Sequence, residues 1–167
     1  MPAGSPSGSP LHFLLCPCGS FASIPPPMKI ERVVEIDAPP ETVWPHVADV
    51  ERWREWTPSI TSIEPLDPGG LAVGVRFRVL QPKLPPVIWR VSSLVPGRSF
   101  EWVARSPGMT STGRHVVEPR PGGGSIVTLA VIQEGLLSGI VGRMLGPLIR
   151  SYVEMEAEGL KRRSEKK

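Results

Sequence analysis

Cysteine is almost missing from this chain. Cys16 and Cys18 are the only two, both within the first 28 residues, which excludes a disulfide framework for the body of the protein. Histidine is nearly as scarce. His12, His46 and His115 complete the set, and with the two thiols they match no zinc spacing. Neither a metal nor a cofactor is expected. No apolar run approaches the roughly 20 residues that span a bilayer, so the expectation is a cytoplasmic protein. An excess of one charge is lacking too: 19 basic and 16 acidic residues are interspersed, for a net charge of +3. That leaves no basic stripe for nucleic acid. The one basic cluster, Lys161, Arg162, Arg163, Lys166 and Lys167, reads as a solvated helix end favoured by the helix dipole. Several reaction classes lack their signatures. Gly122 to Gly124 fall in a hairpin turn rather than a phosphate loop. Ser92, Ser93 and Ser99 lack a nucleophile elbow. No pair of carboxylates stands among the apolar positions, as glycosidase chemistry needs.

Residues 1–28 carry no charged side chain, and seven of the 21 prolines lie there with many Ser and Gly. Such a segment cannot bury enough apolar surface to offset its ordering entropy, so residues 1–27 are expected to be disordered and low in complexity. Two rival readings attach to it. Residues 11–16 are a short apolar run, but no positive region precedes them as in a secretory signal. Alternatively, the abrupt change in composition marks Met28 as the natural start. The globular domain is expected over residues 28–163, with a charged tail at 164–167.

From residue 29 the pattern has period two. Strands are predicted at 29–37, 60–66, 73–80, 87–95, 99–105, 110–118 and 125–133. Proline and glycine clusters punctuate them at 67–70, 85–86, 96–97, 107–108 and 121–124. Between the first two strands, Pro40 opens a short helix, with Glu41 and Glu51 at helix N-termini and Asp49 as a second cap. Pro45 argues against one long helix there. After 133 the period changes. Leu137, Ile140, Val141, Met144, Leu145, Leu148, Ile149, Tyr152 and Val153 form one stripe of a long helix, which Gly146-Pro147 should kink. Arg150 with Glu154 and Glu158 with Arg162 are placed to pair on its exposed side. The fold class is therefore α+β: a curved seven-stranded antiparallel sheet, two short helices after its first strand, and a long C-terminal helix covering the apolar face.

The run 30–44, IERVVEIDAPPETVW, followed by 49–58, DVERWREWTP, resembles the polyketide cyclase/dehydrase and lipid-transport family of the START-like (Bet v 1-like, SRPBCC) superfamily. The stretches 122–129, GGGSIVTL, and 146–154, GPLIRSYVE, are similar to it as well. The resemblance spans roughly residues 28–163 and implies the helix-grip fold. It leaves function open, because members range from cyclases to lipid carriers.

A strongly curved sheet does not close tightly over one helix, and the gap is the place for an apolar cavity. Strand parity puts Phe77, Val79, Trp89, Val91, Phe100, Trp102, His115, Val117, Leu129 and Val131 on its inner face. The helix contributes Met144, Leu145, Leu148 and Tyr152, and Trp53 and Trp56 sit near the mouth. His115 is the one titratable group that parity turns inward, so it is the candidate general acid or base. A bulge near Gly113 would instead expose it and turn Arg114 inward. His46 is expected to face solvent. Three functions remain open: binding a hydrophobic small molecule as carrier or sensor, aromatic polyketide cyclisation or dehydration, and protein interaction.

Overall fold

The computed structural model describes residues 27–166. The expected disorder of the N-terminal segment and its rival readings lie outside the described residues. Strand β1 (Met28–Ile36) leads through Pro39 into helix α1 (Pro40–Ala48) and a 3-10 turn over Val50–Glu55. A meander follows: β2 (Ser62–Pro65), β3 (Arg76–Leu80), β4 (Val87–Val95), β5 (Ser99–Ser106), β6 (Met109–Pro119) and β7 (Ser125–Glu134). Helix α2 (Ser138–Ser164) ends the fold. The sheet order is β1-β7-β6-β5-β4-β3-β2, antiparallel at every pairing. Sequence neighbours pair throughout except for β1, which adds beside β7. Tight turns join β4 to β5 and β5 to β6, as antiparallel neighbours allow, while residues 66–75 form a longer connection between β2 and β3.

Two prolines, Pro45 and Pro147, lie within helices. The first helix stops at Ala48 before the separate 3-10 turn, so two short helices stand here as expected, and α2 runs on through Pro147. Each proline removes one backbone donor, and packing of the apolar face outweighs that loss. Asp49 stands at the cap position of the 3-10 turn without a side-chain cap bond. On the outer face of α2, Arg162 meets Glu158 at 3.9 Å.

The register also corrects one strand. A bulge between Val91 and Ser93 shifts β4 against β5, and one extra residue reverses the parity beyond it. Leu94 is therefore half-buried while Ser93 and Val95 are exposed. No irregularity interrupts β5 against β6 around Gly113. His115 accordingly faces inward, buried, and Arg114 pairs outside with Glu101 at 2.6 Å.

Topology gives the molecule two ends. At one end lie the β2–β3, β4–β5 and β6–β7 connections, α1, the 3-10 turn and the C-terminus of α2. At the other lie the β3–β4 and β5–β6 connections and the start of α2. The core concentrates at the first end. Ile36, Val43, Val47, Trp53, Phe77, Phe100, Val117, Val127 and Leu160 are fully buried there.

Candidate functional site

Sheet and helix part toward the second end and leave a cavity of about 520 Å³. Its floor is Trp53, whose indole N–H donates to the Val47 carbonyl at 3.2 Å. Its walls come from the mouth-ward halves of the strands: Val79 on β3, Trp89 on β4, Trp102 and Ala104 on β5. Ser111, Gly113 and His115 on β6 and Leu129, Val131 and Gln133 on β7 complete the sheet side. Helix α2 closes it with Val141, Leu145, Ile149, Tyr152, Val153 and Glu156. The exposed lining residues are Pro85 and Pro86 in the β3–β4 connection, Ile88 at the start of β4, and Arg105 and Ser106 at the end of β5. The opening is therefore between these segments and the first turns of α2.

Of the residues expected from sequence, the structure brings Trp53, Val79, Trp89, Trp102, His115, Leu129, Val131, Leu145 and Tyr152 to the cavity. The others lie elsewhere. Phe77, Val91, Phe100 and Val117 face inward but are packed solid at the closed end. Parity fixes the face of a strand, not the depth along it. Trp56 is not at the mouth: its carbonyl abuts Gly159 near the end of α2, where any Cβ would collide with it. Met144 is 75% exposed on the outside of α2 and Leu148 is half-buried beside the cavity lining. The predicted stripe was wider than the face a helix can present to one sheet. His46 is half-buried rather than solvent-facing, and this desolvation, with Arg163 and Arg52 nearby, lowers its pKa.

The polar chemistry centres on His115. Its ring stacks on Phe100 (centroids 4.4 Å, planes 7° apart) and meets Trp102 edge-on at 5.7 Å and Trp53 at 5.0 Å. Nε2 lies 2.9 Å from Glu156 Oε1, and Nδ1 has no partner within the protein. That pattern assigns the tautomer by hydrogen bonding: Nε2–H donates to the carboxylate and Nδ1 keeps a free lone pair. Glu156 was not anticipated. It sits four residues after Tyr152 on the inward stripe of α2, and an acidic residue at an apolar stripe position was the signal available.

Tyr152 donates its hydroxyl to the Pro82 carbonyl, tying α2 to the β3–β4 loop. Burial raises the pKa of this phenol, so it remains a neutral donor. Gln133 donates to Ser111 Oγ at 3.4 Å, and its own Oε1 is unpaired. Gly113 lets the Trp102 indole lie flat across β6, because a Cβ there would strike the ring. Trp102 in turn packs on Trp89 at 5.3 Å. The result is an apolar, aromatic hollow with a few fixed polar groups, the usual make-up of a small-molecule site. Among the described residues no group of His, Cys, Asp and Glu is arranged to hold a metal ion.

The family model for polyketide cyclase / dehydrase and lipid transport matches residues 27–165. The chain belongs to that family. No curated protein matches the sequence. Solved structures are similar in fold. The Zhui aromatase/cyclase from Streptomyces sp. R1128 aligns with a TM-score of 0.67 at 18% identity, covering 83% of this chain and 94% of its own. A hypothetical protein of Helicobacter pylori gives 0.70 at 13% identity, covering 95% and 100%. Ara h 8.0201 gives 0.58 at 14% identity, covering 81% and 98%. At these identities the likeness is one of fold, the helix-grip arrangement of a curved sheet around a long helix. This family fold accommodates hydrophobic ligands, and the cavity of the present member has that character.

Proposed function

We propose that this member of the family binds a hydrophobic small molecule, lipid-like or polyketide-like, in its internal cavity and serves as a carrier or sensor. The observation that carries the reading is a cavity of about 520 Å³ walled by Trp53, Trp89, Trp102, Leu129, Val131 and Leu145. Apolar contact supplies the affinity there, roughly 25 cal/mol per Å2 of ligand surface removed from water. The sparse polar groups then orient the molecule. Three of the five tryptophans line the cavity, so their fluorescence reports occupancy directly. Titration with fatty acids and with polycyclic phenols should quench it saturably. Solvent extraction of the natively purified protein followed by mass spectrometry should release an apolar compound. A protein that comes out empty and gives no saturable quenching with either series would end this reading.

One observation favours a second reading, an aromatic polyketide cyclase or dehydratase. His115 and Glu156 form a buried pair on the cavity wall. A histidine paired in this way can act as general base toward an acidic carbon if its ring turns to the ligand, and the Glu156 carboxylate would stabilise the imidazolium so formed. Returning that proton to a departing hydroxyl releases water and completes a dehydration. The test is turnover of poly-β-keto substrates by the native protein and by His115→Ala. Equal turnover by both removes His115 from any catalytic role.

A further inference from the structure

The first turns of α2 are apolar on both sides. Val141 and Leu145 face the cavity, while Ile140 and Met144 point outward, 61% and 75% exposed, with Leu136 just before the helix at 71%. Exposed aliphatic side chains on the outer side of a helix mark a surface suited to an apolar environment. The later turns differ: Glu154, Glu158, Lys161 and Arg162 occupy that outer face. Charge is segregated in the same way. The three segments framing the mouth, residues 82–88, 105–109 and 135–148, contain Lys83, Arg105 and Arg143, and the one acidic residue adjoining them is Glu134 at the end of β7. Among the described residues none of these three cations takes part in an ion pair. Most other basic side chains do, including Arg76, Arg98, Arg114 and Arg120.

We propose that the rim of the mouth docks on an anionic lipid surface, with Leu136, Ile140 and Met144 inserted among the acyl chains and Lys83, Arg105 and Arg143 against the headgroups. Exposed aliphatic side chains beside unpaired cations are what an interfacial helix presents to such a surface. Among the described residues no helix is long and apolar enough to cross a membrane, so the mode is lying on the bilayer, not spanning it. Docked this way, the cavity opens directly onto the lipid phase, and an apolar ligand moves between the two without passing through water.

The test is co-sedimentation of the full chain with vesicles of phosphatidylcholine alone and of phosphatidylcholine mixed equally with phosphatidylglycerol. The protein should bind the mixed vesicles and leave the neutral ones, and added salt should weaken binding. Lys83→Ala and Arg143→Ala should each reduce affinity about fivefold. The double variant Ile140→Ser, Met144→Ser should reduce it about tenfold or more, while ligand quenching of the tryptophans stays unchanged because neither side chain lines the cavity. That quenching control separates loss of docking from loss of the cavity's ligand. No preference for anionic vesicles overturns the proposal. So does binding indifferent to Ile140 and Met144, which would mean that charge alone, without insertion, holds the protein to the vesicles.

Discussion

The two ends of the molecule are held together by different means. At the closed end, helix and sheet touch, and ion pairs fasten the periphery. Arg120 bridges Glu35 and Asp37 at 3.1 and 2.6 Å, Arg76 grips Asp67 at 2.8 Å, and Arg98 meets Glu118 at 3.0 Å. Lys161 donates to the Glu35 carbonyl, and Glu165 accepts from the Asp37 amide. At the open end the start of α2 still meets β1, where Gly142 and Gly146 lie against the Met28 side chain, but it parts from the strands that wall the cavity. The Tyr152–Pro82 bond and the contact of the α2 start with Gly108 span the gap. The cavity therefore lies between α2 and the strands from β3 to β7, with the helix held close at Gly159 against Trp56 and at Gly142 against Met28. Stability is concentrated where no ligand goes, which frees the other end to open.

The strongest way to break this division is Trp53→Ala. Trp53 is the floor of the cavity and the centre of the aromatic cluster, 1% exposed and within 6.2 Å of the Phe100, Trp102, Trp56 and His115 ring centroids. Its removal should cost about 4 kcal/mol, read as a lowered urea midpoint. It should also merge the cavity with the closed end and relax ligand selectivity. Gly159→Ala comes next. Its added methyl meets the Trp56 backbone carbonyl, and backbone yields less readily than a side chain, so about 2 kcal/mol of overpacking strain is expected. A Gly159→Ala protein as stable as the native one would show that α2 is not pinned at this point.

How much of this division was legible beforehand follows from what each sequence signal encodes. Alternation in 99–105 and 110–118 gives the inward face of β5 and β6, and with it Trp102 and His115. It carries no information about depth. Phe77, Phe100 and Val117 were for that reason indistinguishable from Val79, Trp102 and Gly113 until the placement of α2 was known. The bulge after Val91 has no glycine or proline to announce it. On α2 the apolar residues cover too much of the circumference to show which side meets the sheet. Glu156 was readable only as an anomaly in that stripe, and its meaning depended on His115 lying opposite, 41 residues away in the chain.

The polar centre sharpens the comparison from the cavity side. Glu156→Leu keeps the volume but leaves the His115 Nε2–H without an acceptor, and a buried unmet donor costs about 2 kcal/mol. Glu156→Gln offers an amide oxygen to the same N–H and should lose less than half of that. The pair of thermal unfolding curves therefore separates hydrogen bonding from charge. Equal loss in both would mean that the carboxylate's charge, rather than its geometry, holds His115 in place.

The smallest expected effect is the most local. Asp67 accepts hydrogen bonds from the Arg76 side chain and backbone amide at 2.8 to 2.9 Å. The Arg76 guanidinium holds its carboxyl well below the usual range, from 3.8 down to about 2. Arg120 lowers Asp37 in the same direction, again by hydrogen bond first and charge second. Both carboxylates are more acidic folded than unfolded, so their contribution is complete above the unfolded value of about 4 and is lost as the pH falls through the folded value, about 2 for Asp67. Both belong to the closed end. Amide exchange followed from pH 5 downward, with intrinsic rates corrected at each point, should show protection falling first at 35–37 and 66–76, while 105–109 at the mouth changes little. Asp67→Asn should abolish the acid step around 66–76 and leave the one around 35–37 intact. Exchange that loosens first at the mouth would reverse the assignment of which end the ion pairs secure.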